Sequence, residues 1–227
     1  GEIQVSEALA ITNLTLTNHQ AQTFQGIEEF TNLIELHIGS GTSLYNTDSE
    51  NLDIRALTQL EELYLNSFGG YINLSDLHSL RIVDTNLSFG SAGKFNLTGL
   101  INLEKFANSV FNLSNSNFYF NHLSNLKELR IDGHGLTHLD VGNLSNLEIL
   151  SFSDNAVTEI DVSNLTNLTE FVSIQNQLTS IDLSNANVTE TLFFAENPLV
   201  SLNIKDGIVN NLSSYYAFYN TNIQSIC

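Results

Sequence analysis

The chain has 227 residues, of which 42% are hydrophobic, and 25 acidic residues against 7 basic ones give it a formal net charge of −18 at pH 7. A chain this acidic repels phosphate backbones, which argues against nucleic acid as a partner. No segment approaches roughly 18 consecutive apolar residues, so insertion into a membrane is not expected. The single cysteine, Cys227, has no second cysteine in the chain with which to form a disulfide bond.

The N-terminal residues 1–10 are expected to cap one end of the domain. Gly1, Ile3 and Glu7 have the spacing of the glycine, the hydrophobic residue and the final glutamate of an EF-hand or dockerin-type calcium loop. The acidic half of such a loop would lie upstream of Gly1. Glu7 is therefore predicted to bind calcium only if that upstream part is present in the full-length protein, and no other cofactor is expected. The alternative is an amphipathic cap whose apolar residues close the first coil.

The first half of the chain repeats a short strand pattern at irregular intervals. In the pattern L-x-x-L-x-φ, where φ is apolar, alternate side chains point the same way, as expected of a strand with one buried side. Clear examples begin at Ile11, Leu33 and Leu60, and weaker ones with an inward polar residue begin at Leu80 and Leu103. The longest interval contains Gly39–Ala56, which is rich in Ser, Thr, Asn and Asp and is predicted to be a surface loop.

The second half keeps a period of 21 residues. Asn155, Asn176 and Asn197 stand 21 residues apart, and the strand pattern precedes each of them. Self-similarity at such a period indicates a solenoid of stacked turns. Each asparagine is predicted to leave its strand and to bind backbone groups that a tight coil would otherwise leave unpaired.

Three aspartates, Asp140, Asp161 and Asp182, follow the same period. These carboxylates could share cations along the coil. We favour a structural interpretation, in which each accepts a hydrogen bond from the backbone N–H two residues further on. Near the C-terminus, Tyr216-x-Phe218 is predicted to be the inward pair of the last strand, and residues 205–227 are expected to hold the last repeats near a C-terminal cap. The whole chain then has about ten parallel strands.

The repeat resembles the leucine-rich repeat family over nearly the whole chain. The 21-residue period and the phrase Ile-Asp-Val-Ser-Asn-Leu at residues 160–165 look like secreted bacterial modules, such as cargo of the type IX secretion route and internalin-like proteins. This resemblance implies one domain, residues 1–227, with an α/β-type but β-dominated right-handed solenoid. It implies a parallel sheet of about ten strands on the concave side and irregular or 3-10 connections on the convex side. It also implies a secreted or cell-surface bacterial module, monomeric and part of a larger multidomain chain.

Signatures of catalysis are missing from the sequence. No histidines have the H-E-x-x-H spacing of a zinc site, and neither a glycine-rich phosphate loop nor a G-x-S-x-G elbow occurs. The chain is therefore not expected to be an enzyme, and its binding residues are sought on the solvent side of the strands. The predicted concave-face residues are Val172, Ile174, Phe193, Tyr215, Tyr219, Tyr64, His37 and Arg130.

The C-terminal members of this set are apolar or aromatic, which favours a binding surface because burying such side chains releases water from a large area. We expect a protein partner bound through the concave face. One alternative is a carbohydrate-binding adhesion module that uses the C-terminal aromatic residues, and another is a spacer that holds other domains apart. A cap or a following domain could also cover the same patch.

Overall fold

The computed structural model describes residues 4–16, 24–39, 52–66, 72–86, 95–109, 118–204, 212–216, 220 and 225–226. The chain divides into two compact units, Gly1–Asn108 and Ser109–Cys227. The expectation of a single domain over residues 1–227 stays a prediction. Within the described part of the chain, no helix is long and apolar enough to span a membrane.

The first unit contains two sets of parallel strands, a short helix α1 (Val5–Ala8) and a 3-10 helix (Ile27–Glu29). One set is β1 (Asn13–Leu16), β2 (Glu35–Ile38), β4 (Glu62–Asn66), β6 (Ile82–Asn86) and β8 (Lys105–Ser109), in that order in a sheet. The other set is β3 (Leu52–Asp53), β5 (Ile72–Asn73) and β7 (Phe95–Asn96). We name the first set the front strands and the second the back strands.

The second unit repeats this arrangement. Its front strands are β9 (Glu128–Arg130), β10 (Ile149–Ser151), β11 (Glu170–Val172), β13 (Thr191–Phe193) and β15 (Ser214–Tyr216). Its back strands are β12 (Ser180–Leu183), β14 (Ser201–Ile204) and β16 (Ser225–Ile226). The described residues thus form ten front strands, which confirms the predicted number. The side predicted to be irregular also contains strands, because the turns stack closely enough for their backbones to pair there as well.

The core is built from the inward residues of the front strands. Leu36, Leu63 and Val83 are completely buried and in register in the first unit, and Leu150 and Phe171 are buried and in register in the second. Burying one such side chain contributes about 1.5–3 kcal/mol. Each turn buries more than one such side chain, as Leu36 and Ile38 on β2 show, so every added turn extends the core.

Asparagines hold the ends of the front strands β10, β11 and β13 in the second unit. The Asn176 amide donates to the carbonyls of Phe152, in the preceding turn, and Ile174, in its own turn, at 2.9 and 3.4 Å. Its Oδ1 accepts the N–H of Val157 at 3.1 Å. Asn155 and Asn197 make the equivalent bonds, and Asn197 is also almost fully buried. These contacts confirm the predicted role of the 21-residue asparagine pattern.

The periodic aspartates stabilise turns. Asp140, Asp161 and Asp182 each accept the N–H two residues further on, at 3.1, 2.9 and 2.9 Å. The hydroxyl and N–H of Ser163 lower the pKa of Asp161 below its ordinary value. These hydrogen bonds confirm the structural interpretation of the aspartates.

Glu7, the glutamate of the predicted calcium loop, caps the N-terminal helix. The N–H of Gln4 donates to Oε2 of Glu7 at 2.9 Å, as in a helix capping box. Gly1 and Ile3, the other two residues of that pattern, lie outside the described residues. Calcium binding by Glu7 in a longer chain therefore stays a prediction. Of the predicted surface loop Gly39–Ala56, residues 40–51 also lie outside the described part.

Candidate functional site

The front strands present two rows of side chains to solvent, because alternate residues of a strand point to opposite sides. In the second unit the register aligns one row through the first residue of each strand, and this Glu128 row comprises Glu128, Ile149, Glu170, Thr191 and Ser214. A second row passes through the third residue of each strand, and this Arg130 row comprises Arg130, Ser151, Val172 and Phe193, of which Ser151 is buried. Three of the predicted site residues therefore lie in a single row.

Arg130 joins the two rows. Its Nε donates to Oε1 of Glu128 at 2.7 Å on the same strand. One of its terminal nitrogens donates to Oε2 of Glu170 at 3.2 Å, so the side chain reaches past β10 to β11. Burial lowers the pKa of Arg130, but the hydrogen bonds and charges of Glu128 and Glu170 outweigh this effect and raise the pKa above its ordinary value. The guanidinium is therefore fixed in position and always charged, while about a third of its side chain (33%) stays accessible.

Apolar side chains lie directly beside this ion network. Val172 follows Glu170 by two residues on the same side of β11, and Phe193 is its partner in register on β13. Ile174 lies two residues beyond Val172, where its N–H donates to Oγ of Ser153 at 3.1 Å. All three apolar side chains are half-buried. The patch therefore combines partly exposed hydrocarbon with an anchored arginine.

The C-terminal aromatic residues have a different register from the one that the sequence suggested. Tyr215 is in register with the inward residue Leu192, and Tyr216 is in register with Phe193. The reason is Asn220, which donates to the carbonyl of Phe194 in the preceding turn, as the other periodic asparagines do, and accepts the N–H of Asn197. It therefore sets the register of the strand five residues earlier, where the backbone of Tyr215 pairs with that of Leu192. Tyr219 lies outside the described residues.

In the first unit, the structure brings two predicted residues together. The rings of His37 on β2 and Tyr64 on β4 stack with centroids 4.3 Å apart and an interplanar angle of 14°. Nε2 of His37 lies 2.5 Å from Oε1 of Glu35, and the Tyr64 hydroxyl donates to Oε2 of Glu62 at 2.8 Å. Burial and the neighbouring Glu62 raise the pKa of Tyr64 to about 12.

The carboxylates that hold these groups were largely missed from the sequence. Glu35, Glu62, Glu128 and Glu170 all occupy the same position, immediately before the first inward residue of a front strand. This recurrence of L-x-E-[LF] is visible in the sequence and could have predicted an acidic row. Among the described residues, no group of three or more His, Cys, Asp or Glu side chains is arranged to hold a metal ion.

Known structures share this architecture. No family model and no curated protein matches the sequence. Internalin C2 of Listeria monocytogenes matches at 18% identity and a TM-score of 0.52, over 99% of this chain and 84% of the internalin. A leucine-rich repeat protein of Leptospira interrogans matches at 17% identity and a TM-score of 0.57, over 98% and 73% of the two chains. The fold is a leucine-rich repeat solenoid.

A third leucine-rich repeat structure covers a smaller part of its own chain. The plant peptide hormone receptor RGFR1, solved in complex with RGF2, matches at 25% identity and a TM-score of 0.56. The alignment covers 84% of this chain and 33% of the receptor chain. These likenesses establish the leucine-rich repeat fold and leave the role of each exposed side chain to the geometry described above.

Proposed function

We propose that this leucine-rich repeat chain is a non-enzymatic recognition module that binds a protein partner through the solvent side of its front strands. The observation that carries the proposal is the position of Arg130, held between Glu128 and Glu170 and in the same row as Val172 and Phe193. Protein interfaces are enriched in arginine and aromatic residues that surround or fill an apolar centre.

The pre-formed ion network favours binding for an energetic reason. A free arginine side chain loses rotamer freedom when a partner immobilises it, and that loss subtracts from affinity. Here Glu128 and Glu170 have already fixed the guanidinium in the folded chain. A partner that covers Val172 and Phe193 would therefore gain the apolar contact and an oriented set of donors with a smaller entropic cost.

The fold likeness also supports the proposal. RGFR1, a leucine-rich repeat receptor of similar architecture, was solved in complex with RGF2. The resemblance to internalins supports a location outside the cell, either secreted or attached to the surface. Protease accessibility on intact cells of the source organism would test that location, since a chain inside the cell would be protected.

The binding surface is tested with a matched pair of variants. Arg130→Gln with Phe193→Ala removes the anchored charge and the apolar contact. Arg55→Gln is the control, because Arg55 makes a similar two-nitrogen contact to Asp53, at 2.9 and 2.6 Å, beside a back strand. Circular dichroism first establishes that each variant is folded. Each immobilised protein is then exposed to extracellular proteins, and the affinity of every captured partner is measured with the purified components.

The proposal expects the double variant to bind at least about tenfold more weakly, since losing a hot-spot side chain costs roughly 2 kcal/mol or more. Arg55→Gln should bind as the unchanged chain does. Equal affinity of the double variant and the unchanged chain would overturn the proposed surface. If a soluble glycan competes with the captured partner for binding and a deglycosylated protein does not, the carbohydrate-binding alternative is favoured instead. Absence of any captured partner would favour the spacer.

A further inference from the structure

We infer that the stacked pair His37 and Tyr64, with the carboxylates beside it, is a recognition site for an arginine side chain of a protein partner. We call this cluster the Tyr64 platform and define it as Glu35, His37, Glu62, Tyr64 and Asp84. The inference rests on the proposed function, because it names a second contact of a protein-binding face. It involves only residues of the first unit, so it stands on contacts separate from those of Arg130.

The rings of the platform are held in place. His37 and Tyr64 stack at 4.3 Å, and each places its polar atom on a carboxylate two residues earlier on its own strand, at 2.5 and 2.8 Å. Asn13 also hydrogen-bonds the other oxygen of Glu35. Neither side chain can swing away from the stack without breaking one of these bonds. The His37 side chain is nevertheless 37% exposed, so a partner can reach the stack.

The charge of the platform favours a cation. Three carboxylates, those of Glu35, Glu62 and Asp84, lie in the two solvent-facing rows of neighbouring strands. Two described cations lie near them: Lys105, whose Nζ lies 2.8 Å from Asp84, and Arg81, whose charge interacts with Glu62. The carboxylates of the platform outnumber the cations that pair with them, since Arg81 forms its ion pairs with Glu61 and Glu104 instead. The charges of Glu62, Glu35 and Asp84 all contribute to raising the pKa of Tyr64, which reports the same negative field at the phenol oxygen.

An arginine side chain fits both properties. Its guanidinium is planar, stacks on aromatic rings and donates paired hydrogen bonds to carboxylates. A neutral ligand with an aromatic or sugar ring would gain from the stack and gain nothing from the charge. The net charge of the whole chain, −18, further favours a basic partner surface during encounter.

The site is tested with single-residue probes and nuclear magnetic resonance. Nα-acetyl-arginine methylamide is titrated into the full chain while the ring signals of His37 and Tyr64 are followed. Nα-acetyl-citrulline methylamide is the neutral probe, since it has nearly the same shape. A neutral methyl glycoside is the third probe. The matched variants are Glu62→Gln and Glu61→Gln, each of which removes one charge at adjacent positions. Glu62 accepts the hydrogen bond of the Tyr64 hydroxyl, whereas Oε2 of Glu61 lies 3.7 Å from a terminal nitrogen of Arg81, outside the platform.

We expect the arginine probe to shift the His37 and Tyr64 signals saturably, with at least fivefold higher affinity than the citrulline probe. Glu62→Gln should weaken this binding at least threefold, and Glu61→Gln should leave it within a factor of about 1.5. Added salt should weaken it as well. Equal effects of the two probes, equal effects of the two variants, saturation by the glycoside alone, or no saturable shift would each overturn the inference. The capture experiment with Arg130→Gln and Phe193→Ala is independent of this result, so failure of the platform is distinguishable from failure of the proposed function.

Discussion

Replacement of Asn176 by alanine should be among the most damaging single changes outside the apolar core. The side chain is 1% exposed. It donates to the Phe152 carbonyl at 2.9 Å and accepts the N–H of Val157 at 3.1 Å. Alanine leaves both backbone groups buried without these partners, and each such group costs about 1–3 kcal/mol. The expected loss in the free energy of unfolding is therefore about 2–6 kcal/mol.

Urea denaturation followed by far-UV circular dichroism measures this loss. With a slope of roughly 3 kcal/mol per molar urea, a cost of about 3 kcal/mol lowers the midpoint by about 1 M. Asn167→Ala is the control, because Asn167 is exposed and donates to one carbonyl, that of Ser145, at 3.0 Å. It should cost about 1 kcal/mol or less. Similar urea midpoints for the two variants, at unchanged slopes, would refute the idea that the buried asparagines of successive turns hold those turns together.

Two further predictions concern single side chains. The difference in absorbance at 295 nm between the unchanged chain and Tyr64→Phe should titrate with a midpoint near pH 12, since burial and Glu62 raise the pKa of Tyr64. The stabilisation from keeping this phenol neutral is complete below about pH 10 and is lost as the pH rises towards 12, whereas a midpoint near 10 would contradict the geometry. Ser173→Ala should raise the free energy of unfolding by about 1 kcal/mol, because the Ser173 hydroxyl is buried with no hydrogen-bond partner in the described structure. A loss of stability, measured by urea denaturation, would contradict this.

The front strands could be predicted from the sequence because their signal is local. In Leu33-x-x-Leu36-x-Ile38, buried and solvent-facing residues alternate along the strand at neighbouring positions. Burial of the apolar side stabilises the extended conformation. The asparagine positions of the repeat could be predicted equally well. A side chain there needs both a donor and an acceptor to satisfy the backbone N–H and C=O groups of two adjacent turns.

The back strands and the last register were harder to predict because their signals depend on neighbouring turns. Ser180–Leu183 contains an aspartate typical of a turn, and it becomes a strand because β14 offers its backbone groups alongside. Near the C-terminus, the aromatic residues Tyr215 to Tyr219 match several alternations. The position of Asn220 selects the register that aligns Tyr215 with Leu192, and that choice depends on a contact with the preceding turn.

The candidate sites were predicted only in part because pairing between strands depends on the register. The sequence singled out Arg130, His37 and Tyr64 as solvent-facing, and the structure adds the contacts that hold their side chains. Each of these side chains is bound by a glutamate two residues earlier on its strand. This glutamate position of the repeat does not contribute to the core, and it fixes the side chains of the solvent face. A repeat that assigns core, turn and surface roles to separate columns can vary the surface columns without disturbing the stack. The charged and aromatic pairs of the front strands are therefore the part of the chain in which specificity for a partner can be encoded.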